Sequence, residues 1–131
     1  MNRLTINSVF QSTPSYATLP LRLIAGIIFS AHGAQKLFAW FGGYGLDGTG
    51  QWMESIGLAP GFLMALLAGS AEFIGGLLLI IGLLTRPASL VLAITMLVAI
   101  FSVHFANGLF MSNNGYEFAL ALFAISVALM I

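Results

Sequence analysis

The sequence predicts an all-α membrane protein: a bundle of four transmembrane helices with a short interfacial helix in the first loop. Three observations carry that expectation. The chain is 60% hydrophobic and 6% charged over 131 residues, where soluble domains carry about 25% charged residues. Four apolar stretches meet or approach the roughly 20 residues that a helix needs to cross a bilayer core. The ionisable residues inside those stretches recur at helical spacing, so that they share faces instead of pointing all round.

Composition also removes whole classes of function. A formal net charge of zero leaves no clustered basic patch for nucleic acid and no polybasic run for anionic lipid. The absence of cysteine excludes disulfides, thiolate metal sites, cysteine-ligated iron–sulfur clusters and thiol–disulfide exchange by this chain itself. Residues 1–18 form a polar tail carrying only Arg3. The apolar run that follows is longer than a signal-peptide core and lacks a cleavage site, so it reads as a retained membrane helix. The membrane domain is residues 19–131.

Taken in order, the first span is expected over about 19–40, with Pro20 in its first turn, where the missing N–H costs nothing. The first loop opens with Gly42-Gly43-Tyr44-Gly45-Leu46-Asp47-Gly48, too glycine-rich for a helix. It lacks the Lys-Ser/Thr element of a phosphate-cradling P-loop, so it reads as turn and loop. Thr49 is expected to cap a short interfacial helix reaching Gly57, with Trp52, Met53 and Ile56 facing acyl chains. The second span is expected over about 61–84, after Pro60. Thr85-Arg86-Pro87 is a tight break. The third span is expected over 87–106. Asn107-Gly108 and Asn113-Asn114-Gly115 then flank a loop whose Leu109, Phe110 and Met111 dip into the interface. The fourth span, over 116–131, is short.

Arg3, Arg22 and Arg86 fall on one side of such a four-span hairpin. Lys36 lies near the other, beside Asp47 and Glu54. The positive-inside rule therefore puts both termini in the cytoplasm of a bacterial inner-membrane protein.

Charge is costly at the bilayer centre, so intramembrane ionisable residues face the bundle interior and pair. In the first span Arg22, Ala25, Phe29, His32 and Lys36 share one face. Ala65, Gly69, Glu72 and Gly76 do so in the second, and Glu117, Ala121, Ala124 and Ala128 in the fourth. His104 continues the face of Ala93, Leu97 and Ile100 in the third. Small residues on such stripes let helices approach closely in lipid. At about 1.5 Å per residue, His32 and Glu72 lie about 20 and 17 Å from the cytoplasmic side, Lys36 and His104 near 25 Å, and Glu117 slightly beyond. Two layers follow: a midplane Glu72–His32 pair, with Lys36 as the alternative partner, and an outer cluster of Lys36, His104 and Glu117. Arg22 stands alone near the cytoplasmic end, where it can snorkel.

Plainer readings compete. Lys36 and Glu117 lie near span ends and can reach the interface. His32 can be a packed histidine donating to a carbonyl. Arg86 serves as a topology signal, and the methionines fill the bundle. Glu72 resists a plain reading, because a mid-span carboxylate needs a cation or a proton. The ligand-binding candidates are thus His32, Lys36, Glu72, His104 and Glu117, with Glu72 and His32 the candidates for catalysis. No dedicated metal site is expected, since the two histidines lack the i, i+4 spacing of a helical zinc site.

These same residues resemble the DoxX family of small bacterial membrane proteins. The resemblance rests on Arg22, on His32-Gly33-Ala34-Gln35-Lys36-Leu37, on the Gly57 region and on Glu72-Phe73-Ile74-Gly75-Gly76-Leu77-Leu78. It continues through Gly82-Leu83-Leu84-Thr85-Arg86-Pro87, His104 before Gly108, and Gly115-Tyr116-Glu117. Each motif is weak alone; their order and spacing are specific from about residue 19 onward. The resemblance implies a four-helix inner-membrane protein, related to the DoxD subunit of a thiosulfate:quinone oxidoreductase. Some members are linked to membrane redox complexes handling sulfur compounds or oxidative stress. Abrupt termination at Ile131, without a polar tail, departs from a typical member.

Three functions accommodate these residues. The first is a membrane subunit of a quinone- or sulfur-linked oxidoreductase, with His32 or His104 donating to a quinone headgroup and Glu72 or Glu117 relaying protons. Its electrons would come from a redox partner protein. A haem between His32 and His104 is disfavoured by their different depths. The second is a carrier or binding module for a small solute or lipid, which four short helices accommodate best as a homo-oligomer. The third is a structural assembly factor in which Glu72 only holds the bundle together. Beyond a redox or oligomeric partner, the bilayer is the expected partner and nucleic acid is not.

Overall fold

The structure, a computed structural model, describes residues 17–131. Arg3 and the tail through residue 16 lie outside the described residues. Those described are helical, with no strand among them. Helix α1 spans Thr18–Phe38 and is followed by a 3-10 turn, Trp40–Gly42. Helices α2 and α3 span Gly45–Ser55 and Gly61–Ile81. Helix α4 spans Thr85–Ala99 and runs on through a π turn, Ile100–His104, into a 3-10 turn, Phe105–Asn107. Helix α5 spans Glu117–Met130.

Two of these runs, Gly61–Ile81 and Thr85–Asn107, are long and apolar enough to cross a membrane. Only 33% of each apolar window is buried inside the protein, whereas a soluble core helix would be covered on most sides. Large apolar side chains point outward instead, among them Ile24, Ile27, Phe62, Leu67, Ile74, Ile94 and Phe101. Helix α1 matches α3 in length at 21 residues but carries Arg22 and Lys36. Helix α5 has 14 residues, about 21 Å of rise, which is short of a hydrocarbon core about 30 Å thick.

The closest packing joins α1 to α3, antiparallel and backbone to backbone. A Cβ at Gly26 would stand 2.7 Å from the Gly76 carbonyl oxygen, and one at Gly33 would stand 2.7 Å from that of Gly69. The stripe Ala65, Gly69, Glu72 and Gly76 is buried throughout, as its spacing predicts. Phe29, Leu79, Leu92 and Met96 fill the centre between α1, α3 and α4.

The structure departs from the sequence reading at several elements. Helix α2 begins at Gly45, inside the stretch expected to be loop, and Thr49 is a buried helical residue, not a cap. Tertiary packing overrides the weak propensity here: Gly50 meets the backbone of Gly61 and Phe62 at the start of α3. Met53 is buried instead of facing outward, while Trp52 and Ile56 are exposed. Helix α3 stops at Ile81 because Gly82 adopts φ +75, with the Gly82 and Leu83 N–H groups closing on the Leu78 carbonyl; this is a glycine-terminated helix end. The break thus precedes Thr85, and Pro87 sits in the first turn of α4, where no donor is lost.

In α5 the small-residue stripe is reversed. Ala121, Ala124 and Ala128 are exposed, and Ala119, Leu122, Ser126 and Leu129 face the bundle. The buried face carries small residues of its own, and its Ser126 hydroxyl is satisfied by donating to the Leu122 carbonyl at 2.8 Å. In α4 the buried line is Ala93, Met96 and Ile100, with Leu97 exposed. Beyond Ile100 the helix widens into a π turn that ends at His104.

Candidate functional site

Glu72 lies in the middle of α3 and is 3% exposed. Lys36 stands in the last turn of α1. Helical side chains lean toward their own N-terminus. On antiparallel helices Lys36 therefore leans toward mid-bundle and Glu72 leans toward Lys36. Their tips meet with Nζ 3.0 Å from Oε1 and 3.1 Å from Oε2. The pair is the salt bridge among the described residues, with side-chain exposures of 23% and 5%. Glu72 thus has a partner on the first helix, and that partner is Lys36 in place of the expected His32. Removing one member of a buried pair typically costs about 3–5 kcal/mol, because the other charge is left uncompensated.

The pair borders a cavity of about 730 Å³, lined chiefly by apolar side chains of α1, α3, α4 and α5, with Trp52 and Met53 of α2 at one side. His32 and His104 line the same cavity. The two expected layers therefore merge into one chamber shared by His32, Lys36, Glu72 and His104.

The hydrogen bonds around both histidines fix their tautomers. The Gln35 amide nitrogen donates to the Phe41 carbonyl at 3.2 Å, so the Gln35 amide oxygen faces His32. His32 Nδ1 lies 3.1 Å from that oxygen and must supply the proton. His104 Nδ1 lies 2.9 Å from the Asn114 carbonyl, which can only accept, so it too carries the proton. In a neutral ring each Nε2 is then left as an acceptor. The His32 ring also meets Phe118 edge-on, with centroids 5.8 Å apart.

Glu117 is not part of the chamber wall. Its carboxylate accepts the Met111 N–H at 2.9 Å, and its own N–H donates to the Leu109 carbonyl at 2.8 Å. It thereby pins the loop 108–115, from which Met111 and Asn114 reach the cavity. Sequence reasoning gave Glu117 a place beside Lys36 from its height alone, and the loop geometry takes it elsewhere. Gln35, Asn114, Met111 and Phe118 are site residues that the sequence reading does not name as such. Gln35 carried a usable signal, three residues after His32 on the same helix face. Among the described residues no group of three or more His, Asp or Glu side chains is placed to hold a metal ion.

Chemically, the chamber offers an ammonium donor, a carboxylate acceptor and two imidazole acceptors in apolar surroundings. That set can orient a flat, mostly apolar molecule bearing a few oxygens. Comparison with known proteins points to one family. The DoxX family profile matches residues 17–105. The chain is similar to "Putative oxidoreductase CatD" of Bacillus subtilis (strain 168), 41% identical over 112 residues that cover 86% of this chain and 77% of that protein. It is also similar to an uncharacterized protein of Haemophilus influenzae, 38% identical over 103 residues covering 76% of this chain and 70% of that protein. No solved structure matches the chain significantly. Arg22, the His32–Leu37 segment, Glu72 and Arg86 fall within the matched span, and the chain belongs to the DoxX family.

Proposed function

We propose that this protein is a multi-pass membrane subunit of a redox complex, and that its chamber binds the headgroup of a quinone. The observation that carries the reading is the Lys36–Glu72 pair set beside an apolar cavity with two histidines. Lys36 Nζ can donate to a quinone carbonyl. The Nε2 atoms of His32 and His104 can accept from the hydroxyls of the reduced form, and Glu72 can take part in moving its protons. The apolar walls suit a prenyl tail. Reduction consumes two electrons and two protons per quinone; in this reading a redox partner protein supplies the electrons, the chain having no cysteine to hold an iron–sulfur cluster or to exchange disulfides. The printed name of the Bacillus subtilis relative, an oxidoreductase, agrees with this reading.

The reading includes four membrane spans, α1, α3, α4 and α5, with α2 lying at the interface. The outward apolar side chains of all four support it. Arg22 and Arg86 at one end support a cytoplasmic location for that end of an inner-membrane protein, with both termini there. The test is purification in mild detergent, with co-purifying small molecules identified by mass spectrometry. The reading expects a quinone enriched over its level in unrelated membrane proteins from the same cells. A phospholipid or solute in its place would move the assignment to a carrier.

A further inference from the structure

At the opposite end of α1 from Lys36 stands a second group of polar residues that the quinone reading does not use. Arg22 Nη1 lies against Gly82, at the turn between α3 and α4. Arg86 follows in the first turn of α4. Both side chains are half-buried. Arg22 Nε and Arg86 Nη1 are buried atoms with no hydrogen-bond partner among the described residues. Ser89, one turn further along α4, is 0% exposed, and its hydroxyl is also without a partner there. Helix α4 begins with Leu84 at φ 51 and no side-chain cap.

Every acidic side chain of the sequence is placed elsewhere. Asp47 and Glu54 belong to α2, which follows the far end of α1. Glu72 is held by Lys36, and Glu117 by the Met111 N–H. Residues 1–46 contain no Asp or Glu at all. Two guanidinium groups therefore share one end of the bundle with no side-chain carboxylate to meet them. Buried N–H groups of a cation are costly without an acceptor. The planar fork of arginine fits the oxygens of a phosphate, and an uncapped helix start adds to the attraction. At the rim of a membrane helix the abundant phosphate is that of an anionic lipid.

We infer that Arg22 and Arg86, with the start of α4, form a binding site for a phosphate group, filled in the membrane by the headgroup of an anionic phospholipid. Arg22 lies about 15 Å along α1 from His32 at 1.5 Å per residue, so the site is separate from the chamber. The inference does not depend on what the chamber binds.

The test is native mass spectrometry of the full chain, purified in mild detergent and washed free of lipid. Phosphatidylglycerol or phosphatidylcholine is added, with and without inorganic phosphate. The wild type should bind phosphatidylglycerol in preference to phosphatidylcholine. Arg22→Gln and Arg86→Gln should each weaken phosphatidylglycerol binding about tenfold, and Arg22→Lys should weaken it less, because the charge remains without the fork. Resistance of the bound lipid to millimolar inorganic phosphate assigns the site to the headgroup, and its displacement assigns the site to free phosphate; both support a phosphate site. Unchanged binding in both glutamine variants overturns the inference. Should those variants fail to fold, the wild type decides, since equal binding of the two lipids overturns it as well.

Discussion

Replacing Glu72 by Gln removes the charge facing Lys36 Nζ at 3.0 Å but leaves an amide oxygen that can still accept. Replacing it by Leu removes the acceptor and also crowds the stripe of Ala65, Gly69 and Gly76. The expected order of stability is wild type, then Gln, then Leu, with Leu losing about 3–5 kcal/mol. Thermal unfolding in detergent checks this. A Glu72→Leu, Lys36→Met double variant should recover much of the loss, since no buried charge is then unpaired. Glu72 itself was legible in the sequence as a mid-span carboxylate among small residues. Its partner was ranked wrongly because the ruler of 1.5 Å per residue measures Cα height. A lysine tip reaches well beyond its own Cα, and antiparallel packing turns both side chains toward each other. His32 sits at the right height but spends its Nδ1 proton on Gln35.

The α1–α3 contact depends on the absence of side chains where the backbones cross. At Gly33 a methyl group would fall 2.7 Å from both the Gly69 carbonyl oxygen and Phe73 Cα, neither of which can rotate away. Gly33→Ala is therefore expected to destabilise by about 1–3 kcal/mol, as overpacking does in a close-packed interior. It should also spread the Lys36–Glu72 pair. Comparison of its melting temperature in detergent with that of the wild type checks this. The existence and order of the helices were readable from hydropathy, and the Ala65-to-Gly76 stripe from its spacing. The π turn at Ile100–His104 left no mark on the pattern, because a single widened turn changes the register without changing composition. Helix α2 was placed four residues late because its glycines weaken local propensity, while its contact with α3 is visible only in three dimensions. The buried face of α5 was inverted because small residues occur on both of its faces, Ala119 and Ser126 inward and Ala121, Ala124 and Ala128 outward, so small size alone does not choose the face.

As a whole, the protein presents an apolar surface over α1, α3, α4 and α5, with two arginines at one end and the Lys36–Glu72 chamber toward the other. The proposed topology predicts that a single cysteine at Asn113, in a chain naturally free of cysteine, reacts with an impermeant thiol reagent on intact cells. One at Ser12 should react only after permeabilisation. The reverse pattern would refute the topology while leaving the chamber untouched.

The central claim, that the chamber holds a quinone headgroup, is tested most directly by fluorescence. Of the two tryptophans in the sequence, Trp52 lines the cavity and Trp40 does not. In a Trp40→Phe background, reconstituted in nanodiscs, a short-chain quinone should quench Trp52 along a saturable curve that Lys36→Met weakens about tenfold, as expected for loss of a charged hydrogen-bond donor. Quenching that rises linearly without saturation and is identical in both proteins would mean that the quinone merely dissolves in the lipid, and would contradict the claim.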